Sequence, residues 1–170
     1  MKAVCVAFMF LIYAGAVDAA PSKKITDSCL ATEPSSTDTS YVDLSPSNFY
    51  VEEDAVRKIE SKTMRHGNQS FGIWEKPGSP LFGLIAGGRE VPVAKVIKLG
   101  EAAPSNFTPY TAHWGEVRDA KDAYLCITFN FEGLGQSGSF QMIRGIYLFD
   151  LTHRPAAIYY LVGDVRTLGK

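Results

Sequence analysis

The chain has 170 residues, 46% hydrophobic and 21% charged, enough for one domain with its own core and too few for two ordinary ones. Its formal net charge is -1 at pH 7 with the two signs interspersed, so no field draws it to nucleic acid or to an anionic membrane surface.

The chain opens MKAVCVAFMFLIYAGAVDA, with a lysine at Lys2, an apolar run from Ala3 to Val17 and small residues at Val17 and Ala19. That is the pattern of a signal peptide over residues 1–19, cleaved after Ala19. The run of about 15 apolar residues falls short of the roughly 20 that span a bilayer, and no later run approaches that length. The expectation is an exported protein, periplasmic or extracellular, with no membrane span in the mature chain. Of the three cysteines, Cys5 leaves with this segment, and Cys29 and Cys126 remain. Two thiols in an oxidising compartment predict one disulfide, with two unpaired cysteines as the alternative.

From Pro21 to Ser47, 14 of 27 residues are Ser, Thr or Pro, too little apolar surface to offset the entropy of ordering. Residues 20–47 therefore read as a flexible arm, followed by a single globular domain over 48–168. From Glu52 to His66, Val51, Ala55, Val56, Ile59 and Thr63 form a stripe at helical spacing, with acidic residues first, basic residues last and Gly67 as a cap. This predicts the helix.

Hairpin punctuation follows. Phe71–Glu75 reads as a strand, Pro77–Gly78 as a type II turn and Leu81–Ala86 as the returning strand. Gly87–Gly88 reads as a second tight turn into a strand over Val91–Leu99, which Pro92 confines to an edge or delays. Residues 100–122 break periodicity with Pro104 and Pro109, yet hold Phe107, Tyr110, His113 and Trp114. Glu116–Ala123 is expected to contain a short helical turn. Strands are then predicted near Leu125–Phe131, Ser139–Leu151 and Ala157–Val162, with two apolar faces in the last two. The expected fold is α+β, one N-terminal helix packed on an antiparallel sheet of five to seven strands. A small β-barrel with the helix as a lid is the alternative.

Gly133, Gly135 and Gly138 spell G-x-G-x-x-G, but a strand-like segment follows where a dinucleotide site needs a helix, so the cluster reads as a hairpin loop and no cofactor is expected. Ser137 lacks the glycine a nucleophile elbow requires. His66, His113 and His153 are too dispersed for metal ligation. Two sets of residues remain. His113, Glu116, Arg144 and His153 could supply base, acid and anion clamp to a hydrolase. Arg144, between apolar neighbours, needs a partner or ligand, and Glu132 or Asp150 could serve. Phe107, Tyr110, His113, Trp114 and Arg144 could instead form a recognition surface, although aromatic residues in a long loop equally well pin it to its own sheet. Asn68 and Asn106 head glycan-acceptor triplets.

The functional expectation is an exported binding module, an inhibitor or immunity-type protein that masks a partner protein, with another protein or a small ligand as its partner. The alternatives are a small secreted acid–base hydrolase of the nuclease or glycan type, and a structural envelope protein.

Overall fold

The computed structural model describes residues 20–44, 49–131, 142–153 and 156–168. The expected signal segment 1–19, Glu132, the glycines Gly133, Gly135 and Gly138, and Ser137 lie outside the described residues.

One α-helix is present among the described residues: α1, Lys23–Ala31. It lies within the segment whose composition suggests a loose arm. Ser22 caps its start by accepting a hydrogen bond from the Ile25 amide, and Thr32 ends it in the left-handed conformation at φ 60°. At 9 residues it is shorter than the ~12–15 that persist alone in water, so its stability comes from packing. Ile25 and Leu30 are buried, each worth about 1.5–3 kcal/mol. Cys29 lies at disulfide-bonding distance from Cys126, with a Cα–Cα separation of 5.8 Å.

Eleven strands follow among the described residues: β1 Ser40–Asp43, β2 Tyr50–Asp54, β3 Ile59–His66, β4 Gln69–Glu75, β5 Phe82–Ala86, β6 Arg89–Pro92, β7 Ile97–Lys98, β8 His113–Arg118, β9 Ala123–Asn130, β10 Ile143–Asp150 and β11 Ile158–Asp164. They divide between a six-stranded sheet, ordered β1-β8-β9-β10-β11-β7, and a five-stranded meander, β2-β3-β4-β5-β6. Every pair is antiparallel except β11 with β7. The α+β class and antiparallel pairing are as the sequence predicts, with the strands in two sheets instead of one. Neither sheet closes, so the barrel alternative is set aside.

The larger sheet is covered on both faces, and its strands show it. On one face Val117, Tyr124, Cys126, Ile146, Leu148 and Tyr159 pack against Ile25, Cys29 and Leu30 of α1. On the other, Trp114, Leu125, Ile127, Phe129, Tyr147 and Phe149 meet Met64, Phe71, Ile73 and Leu84 of the smaller sheet. Successive strand residues point to opposite faces, so a strand between two cores carries apolar residues at nearly every position.

Residues 52–66, predicted as the helix, form instead β2, a four-residue loop and β3. The Asp54 carboxylate accepts hydrogen bonds from the Val56 and Arg57 amides, a side-chain-to-backbone turn that competes with helix. Lys58 is left-handed at φ 56°, and Val56, at the centre of the supposed apolar stripe, is 93% exposed. Gly67 is left-handed, at φ 59°, but in the turn that joins β3 to β4 rather than as a helix cap.

Other punctuation holds. The Pro77–Gly78 turn is closed by Ser79 N donating to Lys76 O at 3.0 Å, and Gly87 and Gly88 both take positive φ between β5 and β6, as a two-residue hairpin loop requires. The strand predicted over Val91–Leu99 is split. Pro92 ends β6 at the edge of the small sheet, a short 3-10 turn covers Val93–Lys95, and β7 joins the large sheet. The helical turn expected over Glu116–Ala123 is replaced by the end of β8, a turn held by the Asp119 carboxylate, and the start of β9.

Candidate binding cleft

Strand register brings polar residues together at one end of the large sheet. His113 pairs with Thr128 across β8 and β9, and Asn130 pairs with Arg144 across β9 and β10. By strand alternation all four side chains share the face that carries α1. With Thr111 and Phe129 they line a cleft of about 240 Å³.

The C-terminal end of α1 meets the same residues. Arg144 Nη1 donates to the Leu30 carbonyl at 2.6 Å, and Thr128 Oγ1 donates to the Cys29 carbonyl at 2.8 Å. A cation at the last carbonyls also suits the negative end of the helix dipole. Arg144 is partly buried, and burial pushes its guanidinium below its ordinary value, opposed by the charges of Tyr41 and Glu33. Of the carboxylates the sequence offers it, Glu132 is outside the described residues. Asp150 sits at the far end of β10 and accepts from the Thr152 and His153 amides. Among the described residues no carboxylate lies within 4.0 Å of Arg144. The side chains of His113 and Asn130 likewise have no hydrogen-bond partner among the described residues.

The other two members of the proposed catalytic set are elsewhere. Glu116 alternates onto the opposite face, where its carboxylate contacts Arg118 and lies 2.7 Å from His66 Nε2 of the small sheet. His153 follows β10, with Nδ1 2.8 Å from the buried Asp150 carboxylate. It is separated from Arg144 by the length of that strand, about 20 Å at the usual strand rise. His113 and Arg144 therefore share a cleft, and Glu116 and His153 do not enter it.

The aromatic loop is pinned. Phe107 is buried, stacked on Phe129 at 5.3 Å and tilted against Tyr147 at 5.7 Å. Trp114 is buried as well, with Nε1 donating to the Pro109 carbonyl at 3.0 Å. The Ser105 carbonyl accepts from Tyr147 Oη at 2.7 Å. Of the three aromatic candidates only Tyr110 reaches solvent, 56% exposed, with its ring edge-on to Phe49 at 4.9 Å.

Thr111, Thr128 and Asn130 were not signalled by any motif. The available clue was polarity at alternate positions near the end of a strand otherwise apolar on both faces. Among the described residues, no group of three or more His, Cys, Asp or Glu side chains could hold a metal ion, and no helix is long and apolar enough to cross a membrane. Compared with known protein families, curated proteins and solved structures, the chain matches none.

Proposed function

We propose that the chain is an exported binding module whose recognition site is the cleft at the C-terminal end of α1. Through it the protein holds a small ligand or a projecting group of a partner protein that it masks. The observation that carries this reading is the convergence of Arg144, His113 and Asn130 on one cleft, with hydrogen-bonding capacity left unused among the described residues. Export is supported by the leader-like pattern of residues 1–19 and by two cysteines at bonding distance.

Binding is favoured over acid–base hydrolysis because, among the described residues that line the cleft, His113 is the one side chain of a kind that serves as general acid or base. General acid–base cleavage of a polymer calls for a second, and Glu116 and His153 point elsewhere.

The test is ligand-induced thermal stabilisation of the full exported chain across a panel of small metabolites and short peptides. A compound that raises the midpoint of the wild type should lose its effect in His113→Ala and Asn130→Ala and keep it in Tyr110→Ala. Binders that ignore both cleft variants would overturn the assignment of the site.

A further inference from the structure

We infer that the group this cleft receives is an oxyanion, a carboxylate or a phosphate, held by Arg144 with His113 and Asn130 beside it. This rests on the cleft being the recognition site proposed above.

A guanidinium carries five N–H donors in a rigid planar fork. Capping α1 occupies Nη1, through the 2.6 Å bond to the Leu30 carbonyl. A buried or half-buried charge is ordinarily paired, yet no carboxylate among the described residues lies within 4.0 Å of this one. A helix cap alone needs neither a fork nor a permanent charge, and a neutral amide would serve it. The remaining donors lie in the wall of a cleft.

The other lining groups narrow the chemistry. Thr128 and Thr111 already donate, to the carbonyls of Cys29 and Thr108, so they shape the walls. His113 and Asn130 each have donors to offer and no partner among the described residues. Among the described residues no acidic side chain lines the cleft, so a cation finds no counter-charge among them, and an anion finds one fixed positive charge with two further donors. Arginine forks match carboxylate and phosphate geometry bidentately. A volume of 240 Å³ is about eight waters at their liquid share, room for one such group and a short stem.

The test is an NMR titration of the full, exported and oxidised chain, labelled with ¹⁵N, at constant ionic strength in sodium chloride. Sodium acetate, sodium phosphate and the neutral isostere acetamide are added in separate arms, and the Arg144 Nε–H signal and the 113 and 130 amides are followed. Acetate or phosphate should shift these signals saturably, and acetamide should not. Arg144→Gln, which keeps a donor for the Leu30 carbonyl, should weaken the anion at least tenfold, and His113→Ala and Asn130→Ala several-fold. If Arg144→Gln fails to fold, the contrast between acetate and acetamide on the wild type, with the other two variants, decides. A short peptide and its C-terminal amide form a further arm. Tighter binding of the free acid than of phosphate identifies the source as a chain terminus or acidic side chain, and the reverse identifies a phosphate, either result supporting the oxyanion. Equal shifts with acetamide would overturn the oxyanion and leave the cleft as a binding site. Silence in every arm would overturn both.

Discussion

His66 Nε2 lies 2.7 Å from Glu116 Oε2, and this contact joins the two sheets directly, from the end of β3 to the middle of β8. Glu116 is 7% exposed and also holds Arg118. A buried carboxylate with two cationic or hydrogen-bonding partners is a costly group to lose on one side only. Glu116→Ala should lower stability by about 1.5–3 kcal/mol, read as a lower urea midpoint with an unchanged slope. A double-mutant cycle with His66→Ala should show the two losses to be non-additive. Additive losses would mean that the contact carries no coupling.

The cysteine pair is tested by peptide mapping of the unreduced protein, which should yield a Cys29–Cys126 cross-linked fragment. Two free thiols at those positions would refute the bond. Replacing both cysteines by serine should cost about 2–5 kcal/mol, because the closed loop spans 97 residues and because the first core element it holds, α1, is too short to stand alone. Amide hydrogen exchange should then report loss of protection in α1 before any loss in β9 or β10.

The aromatic loop gives a pair of opposite expectations. Phe107→Ala should destabilise by about 3–5 kcal/mol, as for other buried aromatic truncations. Tyr110→Ala should stay within roughly 0.5 kcal/mol of the wild type, in the range of ordinary surface changes. Equal effects would mean that the loop is not pinned as described.

Acid should weaken one surface of the small sheet in a defined way. Lys62 Nζ donates to Glu75 Oε1 at 2.5 Å, and this bond, with a weaker one from Asn106, holds the Glu75 carboxyl below its ordinary value of 4.5. A depressed carboxylate stabilises the fold fully above its unfolded value and loses that contribution as pH falls through the folded one. The loss therefore begins near pH 4.5 and deepens below it. Glu75→Gln should flatten the acid limb of the stability profile there and leave its shape above pH 6 unchanged.

At the alkaline end, burial pushes the Tyr41 hydroxyl up to about 12, with Asp43 adding to the shift. Burial also raises Tyr124, Tyr147 and Tyr160. Groups raised in the folded state stabilise it below the unfolded value and lose that contribution as pH climbs. Absorbance at 295 nm should show these four tyrosines ionising above the ordinary value of 10.0, with Tyr41 at about 12. A smooth titration of all tyrosines near pH 10 would contradict their burial.

How much of this was legible in the residues depended on how local the cause was. β9 announces itself by alternation, β10 and β11 because apolar residues fall on both faces, and the Pro77–Gly78 and Gly87–Gly88 turns because backbone geometry demands those residues. The helix was misplaced for a physical reason. Val51, Val56 and Ile59 fit a helical stripe, but the Asp54 carboxylate binds the next amides and starts a hairpin loop. α1 offers only a weak local signal, since its stability comes from contacts more than 80 residues away, with Val117, Cys126 and Arg144. In the cleft, Arg144 stood out as a charge among apolar neighbours. The grouping with Thr128 and Asn130 required the register of three strands, which no window of sequence contains.

The distance between Cys29 and Cys126 along the chain sets a timetable for assembly. At ribosomal speeds of about 5–20 residues per second, their sequence separation of 97 occupies about 5–20 s. Throughout that interval the α1 segment has emerged while the strands that bury it do not yet exist. The meander β2–β6 is made entirely within the same interval, from neighbouring hairpins, and local pairing of that kind completes in microseconds to milliseconds. The smaller sheet can therefore be zipped before the larger one has its central strands. Docking of the helix, and with it the shaping of the cleft around Arg144, therefore waits for β8, β9 and β10 to be made.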